Sequence, residues 1–263
     1  MSTTARRALV TGASSGIGSA TARLLAAEGY RLALLARRAE RLAELARELP
    51  RSSEHLALAC DVTDAAQLER TVARAGEAFG AIDLLVNNAG IGYRARVEDL
   101  EAAALERLLA TNVSAVLLGC KAALPWLKRG QRPVVVNVAS VVGRRGYPTQ
   151  AAYAASKAAV CSIGESLRME WRPLGIAVCT LNPTLTRTEI FARQTNPARL
   201  PDPDLGAAMD PAQVARAVLE LDRRPEPERF LAPKWRWLGA LSVLAPRLAD
   251  RALARRLGDS QQH

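Results

Sequence analysis

A regular alternation limits this chain more than any other feature. Short runs rich in Val, Leu and Ala recur between amphipathic stretches from residue 7 to about residue 183. "RALVTG" reads as a strand ending on glycine. "GSATARLLAAEG", 18 to 29, reads as a helix that stops at Gly29. Further strands are expected at 31 to 38, 55 to 64, 83 to 90, 133 to 140 and 175 to 183. Helical stretches fall between them, including a long one over about 99 to 129 and another that carries 151 to 160. Strands of this composition, each followed by a helix, describe a parallel sheet covered on both faces. Right-handed crossovers then give an α/β fold with a Rossmann-type doubly wound parallel sheet of about six or seven strands.

The alternation breaks near 184, where a Pro-rich irregular stretch begins, and returns to helix at "PAQVARAVLELDRR". With 263 residues and 49% hydrophobic content, the chain suits one well-buried domain with a small addition. The expected division is a single catalytic domain over 1–230 and an amphipathic extension over 231–263. In the extension, Trp235, Trp237, Leu238, Leu241, Val243 and Leu244 form a compact apolar stretch, and Arg247, Arg251 and Arg255 share one helical stripe. Such a segment suits an interfacial helix on an anionic membrane. A helix packed on a partner subunit or over the substrate pocket is the preferred reading, because Pro246 splits the stretch into short pieces.

Composition excludes several classes. Cys60, Cys120, Cys161 and Cys179 lie in apolar runs without C-x-x-C spacing, as buried thiols of a reducing compartment do. The only histidines are His55 and His263, so no His-based metal site or Ser-His-Asp triad is expected. No apolar signal region opens the chain and no spanning helix is expected; the expected location is cytoplasmic, with peripheral membrane contact left open. The net charge of +10 is mostly arginine spread along the chain, which reads as surface bias more than as an anionic partner's footprint. Aromatics are 4% and no basic stripe carries them, so nucleic acid is not expected as a partner.

Four motifs carry chemistry. "VTGASSGIG", 10 to 18, joins the first strand to the first helix. Gly12, Gly16 and Gly18, with Ser14, Ser15 and Ile17 between them, offer the tight turn and close backbone approach a dinucleotide pyrophosphate needs, at the positive end of a helix. A plain strand–helix turn would also use glycine; the setting at the head of a βαβ unit favours the nucleotide. The second strand ends "LLARRAE", with Ala36 where an acid would bind a ribose 2′-hydroxyl and Arg37 and Arg38 beside it. Arginine suits a 2′-phosphate, so NADP(H) is favoured and NAD(H) stays open. In "CDVTD", Asp61 could accept from an adenine amine with Val62 near the ring, or could be a turn residue. In "NNAG", Ala89 and Gly90 leave room for a ribose, while Asn87 and Asn88 can tie strand ends together.

The fourth motif is spread out. Ser140 closes the fifth strand; Tyr153 and Lys157 follow in "AAYAASKAAV" and share one helical face. A nearby ammonium lowers a phenol's pKa toward the range where it can give and take a proton. Ser140 could hydrogen-bond the same substrate oxygen. In isolation, a Tyr/Lys pair on a helix is commonly a solvated surface pair.

Together these pieces resemble a classical short-chain dehydrogenase/reductase: "TGASSGIG", "NNAG", Asn112 in "LATNVSAV", and Ser140 followed by "YAASK", in family order across about 10 to 190. The resemblance implies a catalytic set of Asn112, Ser140, Tyr153 and Lys157. Tyr153 would be the acid/base. Lys157 would lower its pKa and bind the nicotinamide ribose, Ser140 would orient the carbonyl, and Asn112 would hold a water in a proton relay. Pro183, Thr186 and Thr188 would line the nicotinamide side, although "PTLTRT" departs from the family's P-G-x-V-x-T at Thr184 and Thr186. Residues 189–210 would be a variable substrate lid. The implied partner is a small carbonyl or alcohol, and the implied assembly a homodimer or homotetramer formed partly by helices near 100 to 129 and 153 to 170. A reductase of carrier-bound 3-oxoacyl thioesters is the alternative within the enzyme class, and a non-catalytic NADP-binding module the alternative outside it.

Overall fold

The sheet is built from seven parallel strands in the order β3-β2-β1-β4-β5-β6-β7, seen in a computed structural model that describes residues 5–201 and 203–259, with side chains as far as residue 254. The strands are β1 Arg7–Thr11, β2 Arg31–Ala36, β3 Leu56–Ala59, β4 Leu84–Asn87, β5 Val134–Val138, β6 Ala177–Asn182 and β7 Glu228–Phe230. Alternate residues of a strand face opposite ways, and the core divides accordingly. Ala8, Val10, Leu32 and Leu34 pack with the helices α1 Gly16–Ala27 and α2 Ala39–Glu48 and with a later helix at Pro211–Arg223. Leu9, Ala33, Leu35 and Leu85 face α3 Ala65–Phe79 and the helices that follow it. Both faces are covered, which is why the strands read as nearly continuous apolar runs.

The expected helix over about 99 to 129 is α4 Ala102–Leu109, a π-helical turn Ala110–Ser114 and α5 Ala115–Leu127. By length and composition this run could cross a bilayer. Here it lies along the sheet, with Cys120, Ala123 and Leu127 in the core and Trp126 against Gly76 of α3. After β5 comes α6, Ala151–Trp171, the longest uninterrupted helix described. A short α7, Ile190–Arg193, lies in the 189–210 segment, and α8 is Pro211–Arg223, capped by Asp210 and Gln213 in a capping box.

The strands are shorter than the apolar runs that announce them. The last residues of each run leave the ladder and become loops at the carboxyl edge: 60–64 after β3, 88–90 after β4 and 139–140 after β5. From β1 the chain winds outward to β3, then returns to the other side of β1 at β4. That reversal is a topological switch point, and in open α/β sheets the crevice outside it holds ligands.

The extension folds as two helices, α9 Lys234–Leu244 and α10 Pro246–Asp259, which meet at Pro246. Gly239 packs on Arg144, Arg145 pairs with Asp250, and Ala249 and Leu253 are buried. The extension therefore docks on the loop between β5 and α6, leaving a cavity of about 580 Å³ between that loop, α6 and α10. Among the described residues it does not reach the crevice at the switch point, whose walls run no further along the chain than Arg193. Trp237, Val243, Leu244 and Leu248 stay exposed, at up to 83% for Leu244. Arg247 and Arg251 are exposed on α10, while the Arg255 side chain lies outside the described residues.

Candidate active site

At the switch point a cleft of about 540 Å³ runs from the turn after β1 to the segment after β6. Gly12, Ser14, Ser15, Gly16, Ile17, Arg37, Arg38, Asp61, Val62, Asn88, Ala89, Gly90, Ser140, Tyr153, Lys157, Pro183, Thr186 and Thr188 all line it. Gly18 and Asn112, which the sequence also singles out, stand behind the wall. Gly18 packs so tightly on the carbonyl of Gly12 that a β-carbon there would overlap it, and Gly12 itself has φ +67°. The turn thus closes on itself and brings bare backbone to the cleft.

β4 is fastened to this turn by a residue that the motif reading passed over. Thr11 Oγ1 accepts from the amides of Asn88 and Ala89, each at 3.0 Å. Asn88 Nδ2 donates to the Thr11 carbonyl at 3.0 Å. Asn87 ties β4 to β5 instead, donating to Asn137 Oδ1 at 2.8 Å. Both asparagines therefore join neighbouring strands. Asp61 folds back on its own turn, accepting from Thr63 N at 3.0 Å and Thr63 Oγ1 at 2.8 Å. Burial opposes its charge, but these bonds and Arg37 hold the carboxyl below its ordinary range. The turn role and the place on the cleft wall coexist.

The two arginines separate. Arg37 is exposed at the cleft edge. Arg38 lies over the glycine turn, donating to Ser15 Oγ at 2.8 Å and Ser14 Oγ at 3.0 Å. Glu189 pairs with it from across the cleft at 3.0 Å.

On the opposite wall, Lys157 is buried and donates to the Val138 carbonyl at 3.0 Å, beside Gly90. Its Nζ lies 5.8 Å from the Tyr153 ring centre. The expected depression of Tyr153 is corrected here. Burial pushes the phenol up to about 12, and burial pulls the Lys157 ammonium down to about 8. Each group resists its own charge on losing water, and at this separation no attraction between the two offsets that cost. Ser140 stands at the cleft wall in the loop just after β5, its Oγ accepting a long 3.4 Å bond from Val142 N.

Asn112 sits in the π-helical turn, fully buried. Its Nδ2 donates to Ile91 O and Ser156 Oγ, each at 3.1 Å, and its Oδ1 accepts from Ile91 N at 2.9 Å. Ser156 in turn donates to the Tyr153 carbonyl at 2.7 Å. The Asn112 side chain is thus a clamp between the loop after β4 and the helical turn that carries Tyr153, with both amide hydrogens used. The departure at 184 and 186 is also accommodated: Thr186 Oγ1 donates to the Thr184 carbonyl at 2.9 Å, and Thr186 bridges to Met209. The segment beyond is pinned at its far side, where Thr195 bridges to Tyr93.

A glycine turn, a crevice at the switch point and the Tyr153/Lys157 pair on its wall define a nucleotide-binding Rossmann oxidoreductase. Comparison with known proteins makes the class specific. The short chain dehydrogenase family matches residues 6–198, and the chain belongs to that family of oxidoreductases acting on alcohol and carbonyl groups. It is 36% identical over 255 residues to an uncharacterised oxidoreductase of Mycobacterium tuberculosis, covering 94% of this chain and 97% of that one. Among solved structures, it resembles an alcohol dehydrogenase of Thermococcus sibiricus complexed with 5-hydroxy-NADP, with 30% identity, a TM-score of 0.78, and 87% of this chain and 96% of that one covered. It also resembles a 3-ketoacyl-(acyl-carrier-protein) reductase of Brucella melitensis complexed with NADH, with 30% identity, a TM-score of 0.77, and 86% and 96% covered.

Proposed function

We propose that the protein is an NADP(H)-dependent oxidoreductase that interconverts a small carbonyl and its secondary alcohol, with Tyr153 as the acid/base. The observation that carries this reading is Lys157, a buried amine held by one backbone carbonyl beside Gly90 and the Tyr153 ring, on a cleft that the glycine turn also faces. The bare backbone at Gly12 and Gly90 is the kind of surface a dinucleotide lies against. The turn would take the pyrophosphate, Arg38 with Ser14 the 2′-phosphate, and Lys157 the nicotinamide ribose. When bound, the nicotinamide supplies or accepts the hydride at its C4.

The residues of the chain manage the proton and the geometry. Tyr153 donates its phenolic proton to the carbonyl oxygen in reduction and takes it back in oxidation. Ser140 steadies the same oxygen. Lys157 stabilises the phenolate left behind, and its lowered pKa keeps proton return accessible near neutrality. Asn112 keeps the loop after β4 and the Tyr153 turn in register. A substrate panel read by NADPH absorbance, repeated with NADH, tests this: turnover with NADPH is expected to exceed turnover with NADH, and a clear NADH preference overturns the assignment of Arg38 and Arg37.

A second reading, the reduction of carrier-bound 3-oxoacyl thioesters, is supported by the net charge of +10, by Arg37 and Arg193 at the cleft, and by likeness to the Brucella reductase. Activity on carrier-bound ketones with none on free ones would select it. We also propose a cytoplasmic homodimer or homotetramer built on the helical run 102–127 and on α6, where Leu109, Leu117 and Met169 remain exposed.

A further inference from the structure

Glu189 opens the segment after β6 and stands at the cleft among three guanidinium groups. Arg41 reaches its Oε1 at 2.7 Å, and Arg38 and Arg193 reach Oε2 at 3.0 and 3.3 Å. Its position is fixed from behind: Thr188 packs on the glycine turn, with Cγ2 2.9 Å from where a Gly16 β-carbon would lie. Arg38 is therefore shared. Its Nη2 edge lies on Ser14 and Ser15, and its Nη1 is taken by the carboxylate.

A guanidinium offers the same planar donor edge to carboxylate and phosphate. A phosphate that enters between Ser14 and Arg38 must compete with Glu189 for Nη1. A ribose with a plain 2′-hydroxyl need not. We propose that Glu189 is a specificity-determining residue: an intramolecular competitor that occupies Arg38 and must be displaced by the 2′-phosphate of the cofactor. This rests on the NADP(H) reading above. Arg41 and Arg193 receive the carboxylate when it leaves Arg38, so 2′-phosphate binding moves the root of the 189–210 segment. The carboxylate lowers the discrimination between phosphorylated and plain cofactors that Arg38 alone would give.

Calorimetric affinities for 2′,5′-ADP and 5′-ADP test this without turnover, because both probes carry two phosphates on the same nucleoside and differ in where one of them sits. Wild type is expected to prefer 2′,5′-ADP. Glu189→Gln is expected to tighten 2′,5′-ADP by roughly two- to fivefold, the range of a half-exposed ion pair, with 5′-ADP little changed. In an Arg38→Ala background the same substitution is expected to change neither probe. An equal gain for both probes would show general relief of negative charge, and a gain that survives Arg38→Ala would show action elsewhere; either overturns the proposal. If neither wild type nor Glu189→Gln prefers 2′,5′-ADP, the NADP(H) reading falls and this inference with it. A preference that Glu189→Gln leaves unchanged overturns the inference alone.

Discussion

Lys157 and Tyr153 are separated by 5.8 Å from amine to ring centre, while the amine's hydrogen bond goes to the Val138 carbonyl at 3.0 Å. Lys157 is thus buried and Tyr153 partly so, each favouring neutrality, and the two do not form an ion pair. Burial raises Tyr153 to about 12 and lowers Lys157 to about 8. The buried Lys157 amine is costly to the folded protein and useful to the reaction, because a phenolate that forms in turnover finds an ammonium beside it.

The cost has a measurable sign. The ordinary Lys value is 10.5, and the folded value is about 8. Below about pH 8 both folded and unfolded chains hold the proton, so the penalty is fully present. Between about 8 and 10.5 the unfolded chain holds more proton than the folded one, so stability gains with rising pH. Lys157→Met is therefore expected to raise the melting temperature relative to wild type at pH 7, with the margin shrinking across that window, while activity is lost. A margin that stays constant from pH 7 to pH 10.5 would contradict the burial argument.

Tyr153→Phe removes the proton donor and leaves the ring in its packing beside Ala152. A fall in kcat of about 10²- to 10⁴-fold is expected, the usual contribution of one general acid. NADPH affinity by fluorescence titration is expected to stay within about twofold, since the lost hydroxyl belongs to the substrate oxygen. Near-normal turnover would remove Tyr153 from the mechanism.

How much of this was legible in the chain itself depends on range. The glycine turn and the Tyr153/Lys157 face are local patterns, fixed by strand-to-helix geometry and by the i, i+4 relation, and they stand where the pattern puts them. Six strands were legible because both sheet faces are covered. β7 is only Glu228–Phe230, at the very end of the expected 1–230 domain, and is too short to show a period of its own. The bond between Thr11 and Asn88 and the ion pair between Arg38 and Glu189 join residues 77 and 151 positions apart. No spacing rule announces either, because both depend on loops that converge only after the sheet is wound. The π-helical turn at Asn112 was hidden in a helix pattern whose apolar content is continuous through it. The direction of the Tyr153 shift is not legible in the chain, because nearness to Lys157 can be read from spacing, whereas desolvation is a property of the packed site.

Gly18→Ala tests the glycine turn away from the reacting atoms. Its β-carbon would overlap the Gly12 carbonyl, which is backbone and cannot swing aside. The turn must open, with an expected loss of about 1–3 kcal/mol in stability by denaturant melt. Affinity for NADPH is expected to fall at least about tenfold, as a sub-ångström shift in a preorganised site readily costs that much. Unchanged affinity and stability would mean that the turn tolerates a looser course than the one seen.

The exposed side of the extension yields the last prediction. Trp237 is 74% exposed and Val243 and Leu244 exceed 80%, although Ala249 and Leu253 of the same extension are buried. One side is thus docked on the β5–α6 loop, and the other is apolar with Arg236, Arg247 and Arg251 exposed nearby. Apolar residues beside basic ones suit an anionic lipid surface, each arginine adding about 1 kcal/mol near such a membrane. The full chain is expected to float with vesicles containing phosphatidylglycerol and to be released in part by high salt. The triple substitution Trp237→Ser, Val243→Ser, Leu244→Ser is expected to abolish flotation without lowering the melting temperature, because these side chains are solvent-exposed. If flotation is absent in the wild type while the triple variant changes the molecular mass in solution, that apolar surface meets a second copy of the chain instead of lipid.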